Sequence, residues 1–99
     1  MQSSDFDKLL ANEQTIRELI SEPALYEQLA EECSELAQAC LKKARKIRGE
    51  NFTPKTDDEI DQSILEEYTD ISLVANVLRL HTDKNMYFEK AQRWVDRNV

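Results

Sequence analysis

Helix-breaking residues are confined to a few boundaries in this 99-residue chain. Its single glycine is Gly49, and its two prolines are Pro23 and Pro54. Glycine and proline are the residues that most disfavour a helix interior, and the stretches between them are rich in Leu, Ala, Glu, Lys and Gln, which favour it. The sequence therefore predicts an all-α fold and, at this length, a single domain spanning residues 1–99.

Boundary signals divide the chain into four predicted helices, at about residues 5–20, 22–48, 57–81 and 83–98. Ser21 is placed to cap the second helix, and Gly49 is the natural residue to stop it. Thr56 and Glu59 have the spacing of a capping box that starts the third. We expect the four helices to form one four-helix bundle-like unit.

Both long helices carry an apolar stripe with helical periodicity. On the second helix it consists of Leu25, Leu29, Cys33, Leu36, Cys40, Ala44 and Ile47. On the third it consists of Ile60, Ile64, Tyr68, Ile71, Ala75 and Leu78. We expect the stripes to form the core. Cys33 and Cys40 lie about two turns apart, too far for a disulfide, and are expected to be small core residues.

Composition and charge exclude several functions. The formal net charge of −7 disfavours binding to a nucleic-acid backbone. No apolar run approaches the roughly 20 residues of a membrane helix, and the start of the chain lacks a signal-peptide core. We expect a soluble cytoplasmic protein without membrane association.

Positive charge concentrates at the end of the second predicted helix. No Lys or Arg occurs in 18–41 or in 56–78, which hold six and seven acidic residues respectively. Five basic residues lie between those stretches: Lys42, Lys43, Arg45, Lys46 and Arg48. Two interpretations remain open, namely solubility with compensation of the helix dipole, or phosphate binding.

Two pairs of acidic residues lie on or beside the apolar stripes. They are Glu32 with Glu35, and Glu67 with Asp70. Three-residue spacing places each pair on one helix face, and Glu67 lies within roughly 40° of the centre of its stripe. An ionised carboxylate there must be paired, neutralised or metal-bound. If the two faces meet, four oxygen donors converge, and Mg²⁺ is the expected occupant, with Mn²⁺ as an alternative.

These motifs resemble the EExxE…ExxD pattern of the MazG-like all-α nucleoside triphosphate pyrophosphohydrolases. Glu31-Glu32-Cys33-Ser34-Glu35 matches the first half and Glu67-Tyr68-Thr69-Asp70 the second. The resemblance covers roughly residues 25–97 and implies a helical bundle, Mg²⁺, and hydrolysis of a nucleoside triphosphate to the monophosphate and pyrophosphate. By position it implies Glu32, Glu35, Glu67 and Asp70 as metal ligands, Glu31 as a catalytic candidate, and Lys90, Arg93 and Arg97 of the last helix as phosphate-binding residues.

Additional apolar residues on the third helix indicate self-association. Leu65, Leu73, Val77 and Leu80 fall outside its main stripe. A helix that is apolar on more than one face requires partners on more than one side, so we expect a homo-oligomer, either a dimer or a tetramer. The same surface suits an alternative function, a non-enzymatic helical homodimer acting as an interaction module. A di-iron bundle is disfavoured because the chain contains no Glu-x-x-His pair.

Overall fold

A computed structural model of the chain describes residues 2–50 and 54–99. They form four α-helices, α1 (Ser3–Leu19), α2 (Glu22–Arg48), α3 (Asp57–Val77) and α4 (Lys84–Asn98). Within the described part of the chain no residue lies in a β-strand, so the predicted all-α class is confirmed. No described helix is long and apolar enough to cross a membrane. The connection between α2 and α3 lies partly outside the described residues.

The helix starts follow the capping residues of the sequence. The Ser21 side chain accepts a hydrogen bond from the backbone N–H of Ala24 at 3.3 Å, and Pro23 occupies the first turn of α2. Thr56 and Glu59 form both hydrogen bonds of a capping box at the start of α3. Because these side chains satisfy N–H groups that have no partner within the helix, they fix where α2 and α3 begin.

The C-terminal end of α3 comes earlier than predicted. Arg79 adopts a left-handed backbone conformation with φ of 60°, and the N–H of Leu80 bonds back to the carbonyl of Ala75 at 2.9 Å. This geometry ends the helix at Val77. Arg17 of α1 then donates hydrogen bonds to the carbonyls of Val77 at 2.7 Å and Asn76 at 3.2 Å. A guanidinium from a different helix therefore compensates the end of α3.

α2 and α3 pack against each other as an antiparallel pair, and α1 contacts α3 more narrowly. The buried apolar side chains among the described residues are Leu25, Ile60 and Val77. Leu25 and Val77 lie together beside the end of α3, whereas Ile60 lies near its start. The middle of the α2–α3 contact, between these two small apolar regions, is where the acidic residues meet.

Ion pairs join the C-terminal end of α2 to the start of α3. Lys43 Nζ lies 2.7 Å from a carboxylate oxygen of Asp61, and Lys46 Nζ lies 3.5 Å from one of Asp57. The bond to Asp61 is the main reason that the pKa of Lys43 is raised. Two members of the basic group at the end of α2 therefore pair with the acidic start of α3.

Much of the predicted core is exposed in a single chain. Leu29, Leu36 and Ala44 are half-buried as members of the α2 stripe. Cys33 and Cys40, however, are exposed, which corrects their prediction as core residues. Ile47 of the α2 stripe and Tyr68 of the α3 stripe are 74% and 61% exposed. These positions lie on the sides of α2 and α3 that no other helix covers.

α4 stands apart from the other helices. Asp83 caps it by accepting a hydrogen bond from the N–H of Met86 at 2.8 Å, but every residue from Lys84 to Asn98 is exposed. The exposed set includes five large apolar side chains, Met86, Tyr87, Phe88, Trp94 and Val95. Bundle-like packing within one chain is therefore limited to α1, α2 and α3, and the predicted four-helix unit is not completed by α4.

Candidate metal centre

Three carboxylates from two helices converge in the middle of the α2–α3 contact. Glu32 and Glu35 come from α2 and Glu67 comes from α3, and one oxygen of each lies within 4.8 Å of the other two. Three-residue spacing brings Glu32 and Glu35 to the same face of α2, and the antiparallel packing brings Glu67 opposite them. We call these three residues the acidic cluster.

The acidic cluster contains carboxylate oxygens without a partner. Gln28 Nε2 donates a hydrogen bond of 2.7 Å to Glu32 Oε1. Glu32 Oε2 and Glu67 Oε2 are buried and have no hydrogen-bond partner among the described residues. Buried polar atoms are nearly always satisfied in folded proteins, because an unmet one costs about 1–3 kcal/mol, or more when charged. A bound ligand that accepts their lone pairs would satisfy these two oxygens.

The proximity of the carboxylates changes the acidity of Glu67. Its pKa is raised to about 7, first because its protonated form donates a hydrogen bond to Glu35, then because of burial and a similar bond to Glu32. Repulsion from the Glu35 and Glu32 charges acts in the same direction. Three carboxylates this close therefore tend to share a proton at neutral pH unless a cation replaces it.

The donor set suits a hard divalent cation. Mg²⁺ binds oxygen at about 2.0–2.1 Å, so ligand oxygens on opposite sides of the ion are about 4.2 Å apart. Neighbouring ligand oxygens on such an ion are about 2.9 Å apart, so the oxygens of the acidic cluster, which lie within 4.8 Å of one another, must draw together to bind it. Carboxylates without thiol or imidazole partners favour Mg²⁺, Mn²⁺ or Ca²⁺ over zinc or copper.

Not every predicted site residue joins the acidic cluster. Asp70 is exposed and lies one turn beyond Glu67, outside the group of converging oxygens. It is the member of its pair farther from the apolar stripe, near 100° from the stripe centre. Glu31 is exposed as well. The assignments of Asp70 as a ligand and Glu31 as a catalytic residue stay predictions.

The predicted phosphate-binding residues lie on α4. Lys90, Arg93 and Arg97 line a surface depression formed by α4 residues, together with Trp94 and Asp96. The Arg97 guanidinium lies 5.3 Å from the centre of the Trp94 ring. None of the three basic residues lines the groove beside the acidic cluster. Their role as phosphate ligands stays a prediction that one chain by itself does not fulfil.

A groove of about 210 Å³ runs beside the acidic cluster between α2 and α3. Its lining residues are Glu35, Gln38, Ala39, Lys42, Lys55, Ile60, Ser63 and Glu67. Lys42 belongs to the basic group for which phosphate binding was an open interpretation. Lys55 and Ser63 were not anticipated, because nothing in the spacing of a loop lysine or a single serine predicts that it borders a site.

A comparison of this chain with models of protein families, with curated proteins and with solved structures finds no match. The functional argument therefore rests on the acidic cluster and its surroundings.

Proposed function

We propose that this chain is a Mg²⁺-dependent nucleoside triphosphate pyrophosphohydrolase of the MazG-like type, which releases the monophosphate and pyrophosphate. The observation that carries the proposal is the convergence of Glu32, Glu35 and Glu67, with two buried carboxylate oxygens that have no described partner. Structural salt bridges would supply a basic partner to such a cluster. Here the surplus of negative charge favours a cation as the missing partner.

The proposal gives each site residue a role. Glu32, Glu35 and Glu67 hold the cation, and Asp70, one turn along α3, is the proposed fourth ligand. When bound, the cation offsets phosphate charge and lowers the pKa of a coordinated water. Glu31 lies outside the acidic cluster, so its carboxylate is free to orient the attacking water as a general base. Mn²⁺ fits the same oxygen donors.

Self-association is part of the proposal. The chain exposes 8147 Å², whereas a compact monomer of its mass exposes roughly 5,800 Å². Its radius of gyration is 17.3 Å, compared with about 12.6 Å for a compact domain of this length. In a dimer or tetramer, α4 packs against another copy, and Lys90, Arg93 and Arg97 approach an acidic cluster only through such packing.

Two measurements test the enzymatic proposal. Millimolar Mg²⁺ is expected to raise the melting temperature more than a monovalent salt of equal ionic strength, because a cation bound only to the folded state stabilises it. Phosphorus NMR of a nucleoside triphosphate incubated with the protein is expected to detect pyrophosphate as the first product. Equal effects of the two salts, or orthophosphate appearing first, would contradict the proposal.

A second candidate function is a non-enzymatic helical homodimer that acts as an interaction module. The exposed apolar residues of α4 favour it, since they need a protein partner whether or not the acidic cluster binds metal. Metal titration separates the candidates, because the interaction module predicts no specific stabilisation by Mg²⁺. A screen of standard nucleoside triphosphates for pyrophosphate release would then identify the substrate of the enzyme.

A further inference from the structure

The groove beside the acidic cluster carries opposite charges along its length. Glu35 and Glu67 border it, and so do Lys42 and Lys55. Lys42 lies seven residues after Glu35 on α2, which is about 10 Å along the helix axis. A ligand lying along this groove meets carboxylates in one part and ammonium groups in another.

The two groove lysines differ from their neighbours in their partners. Lys43 and Lys46 form ion pairs with Asp61 and Asp57 of α3. Neither Lys42 nor Lys55 is in an ion pair with any residue in the described ranges 2–50 and 54–99. The ammonium groups of these two lysines are thus not neutralised by ion pairs between α2 and α3. They remain available to an anion in the groove.

The size and lining of the groove restrict what that anion is. At about 210 Å³ it is smaller than the roughly 300–1,000 Å³ typical of pockets that enclose a drug-sized ligand. No described residue that lines it is aromatic, so the described lining offers a base no surface for stacking, whereas Gln38 and Ser63 supply hydrogen-bonding groups beside the lysines. These properties suit a short chain of phosphates and not a complete nucleotide.

We propose that Lys42 and Lys55 bind the phosphate chain of the substrate in this groove, at the end remote from the acidic cluster. This inference rests on the proposed function, because the cation at the acidic cluster binds the other end of the same chain. It makes the phosphates, and not the base, the part of the substrate that this groove recognises. The substrate class is any compound with consecutive phosphates, and inorganic pyrophosphate is its simplest probe.

Calorimetric titration of the full chain with inorganic pyrophosphate in the presence of Mg²⁺ tests the inference. Lys42→Ala and Lys55→Ala are each expected to weaken pyrophosphate binding about tenfold, the loss of about 1.4 kcal/mol that a charged hydrogen bond supplies. Lys84→Ala, at an exposed position of α4 away from the groove, is the matched control and is expected to bind normally. Lys42→Arg is expected to retain most of the affinity, because it keeps the charge.

Stabilisation of each variant by Mg²⁺ alone separates the two proposals. The lysine variants are expected to retain the full rise in melting temperature, which also shows that they fold. Unchanged pyrophosphate affinity in both lysine variants, with Mg²⁺ stabilisation intact, would overturn the phosphate assignment and leave the metal centre standing. If Mg²⁺ does not stabilise the wild type, the metal centre itself is refuted, and the phosphate assignment fails with it.

Discussion

Glu67 occupies an unfavourable position in the metal-free protein, because its carboxylate lies close to two others and one of its oxygens is buried. Its position on α3 places it opposite Glu32 and Glu35, while its Oε2 is buried without a described partner. Replacing it with Gln removes one negative charge from a group of three without changing side-chain size. We expect Glu67→Gln to abolish Mg²⁺ stabilisation and pyrophosphate release, yet to leave the metal-free protein at least as stable.

The matched control for this variant is Glu66→Gln. Glu66 is the adjacent residue on α3, exposed, and hydrogen-bonded to Gln62 at 3.4 Å. This change is expected to affect neither activity nor Mg²⁺ stabilisation, as measured by melting temperature and by product release. Normal hydrolysis by Glu67→Gln would show that the ligand assignment is wrong.

The raised pKa of Glu67 also predicts a pH dependence. Folding raises this pKa from 4.5 to about 7, so the folded state binds the proton more tightly than the unfolded state. The resulting stabilisation is complete below pH 4.5 and is lost as the pH rises through about 7. We expect the melting temperature of the metal-free protein, measured with a chelator present, to fall between these pH values relative to Glu67→Gln. An identical pH profile for the two proteins would contradict the shared proton.

At the scale of single helices, α2 and α3 end with the same hydrogen-bond pattern but different residues. The Glu50 N–H bonds to the Arg45 carbonyl at 3.1 Å, and the Leu80 N–H bonds to that of Ala75 at 2.9 Å. The left-handed position holds Gly49 in one case and Arg79 in the other. Because glycine alone adopts this conformation without cost, the end of α2 is predictable from the sequence and the end of α3 is not.

This difference predicts opposite effects of two substitutions. Arg79→Gly relieves the strain of a non-glycine residue in a left-handed conformation, but it also increases the entropy of the unfolded chain. The first effect is the larger, so the substitution is expected to stabilise the protein by about 0.5–1 kcal/mol. Gly49→Ala is expected to destabilise it by about 1 kcal/mol through backbone conformation alone, since an added Cβ would meet no atom within 4 Å. Urea denaturation at one fixed protein concentration measures both. Destabilisation by Arg79→Gly would mean that the Arg79 side chain matters more than its backbone strain.

Local signals in the sequence were sufficient for the starts of α2 and α3, and they identified the acidic residues that meet if the two helices pack face to face. Ser21, Thr56 and Glu59 act through hydrogen bonds to nearby backbone, and the spacing of Glu32, Glu35 and Glu67 places them on or beside the apolar stripes of α2 and α3. Contacts between distant segments were not predictable. The capping of α3 by Arg17 joins residues 60 positions apart, and Lys55, which belongs to neither helix, lines the groove beside residues of both α2 and α3.

Periodicity also left open which apolar faces are covered within one chain. It assigned Tyr68 and Ile47 to the core, but a stripe records where a helix is apolar and not which partner covers it. In the single chain, α1 is the other helix that packs on α3, and it does so near the end that holds Val77. Apolar surface therefore remains exposed on α2, α3 and α4, and whether another copy covers it depends on the assembly of the whole molecule.

The proposed self-association accounts for the large accessible surface of one chain. The total accessible surface exceeds that of a compact protein of this mass by roughly 2,300 Å², and obligate homodimers bury roughly 2,000–5,000 Å² in total. With Leu25, Ile60 and Val77 as the buried apolar residues among those described, little burial opposes the entropy cost of folding. Charge fits such an association, since α4 has four basic and two acidic residues while the chain carries −7 overall.

Association can be measured through α4 itself. Trp94 is the only tryptophan of the chain and is 66% exposed in the isolated chain. If α4 packs against another copy, the fluorescence of Trp94 is expected at short wavelength at micromolar concentration, and light scattering is expected to give at least a dimer.

Leu73→Glu places a charge on the uncovered face of α3 and is expected to dissociate or unfold the protein, shifting the emission of Trp94 to longer wavelength. Glu66→Lys, next to Leu65 but on the polar side, is expected to leave both signals unchanged. A folded wild-type monomer with water-exposed Trp94 would refute self-association, because the exposed apolar residues of α3 and α4 would then be stable in water.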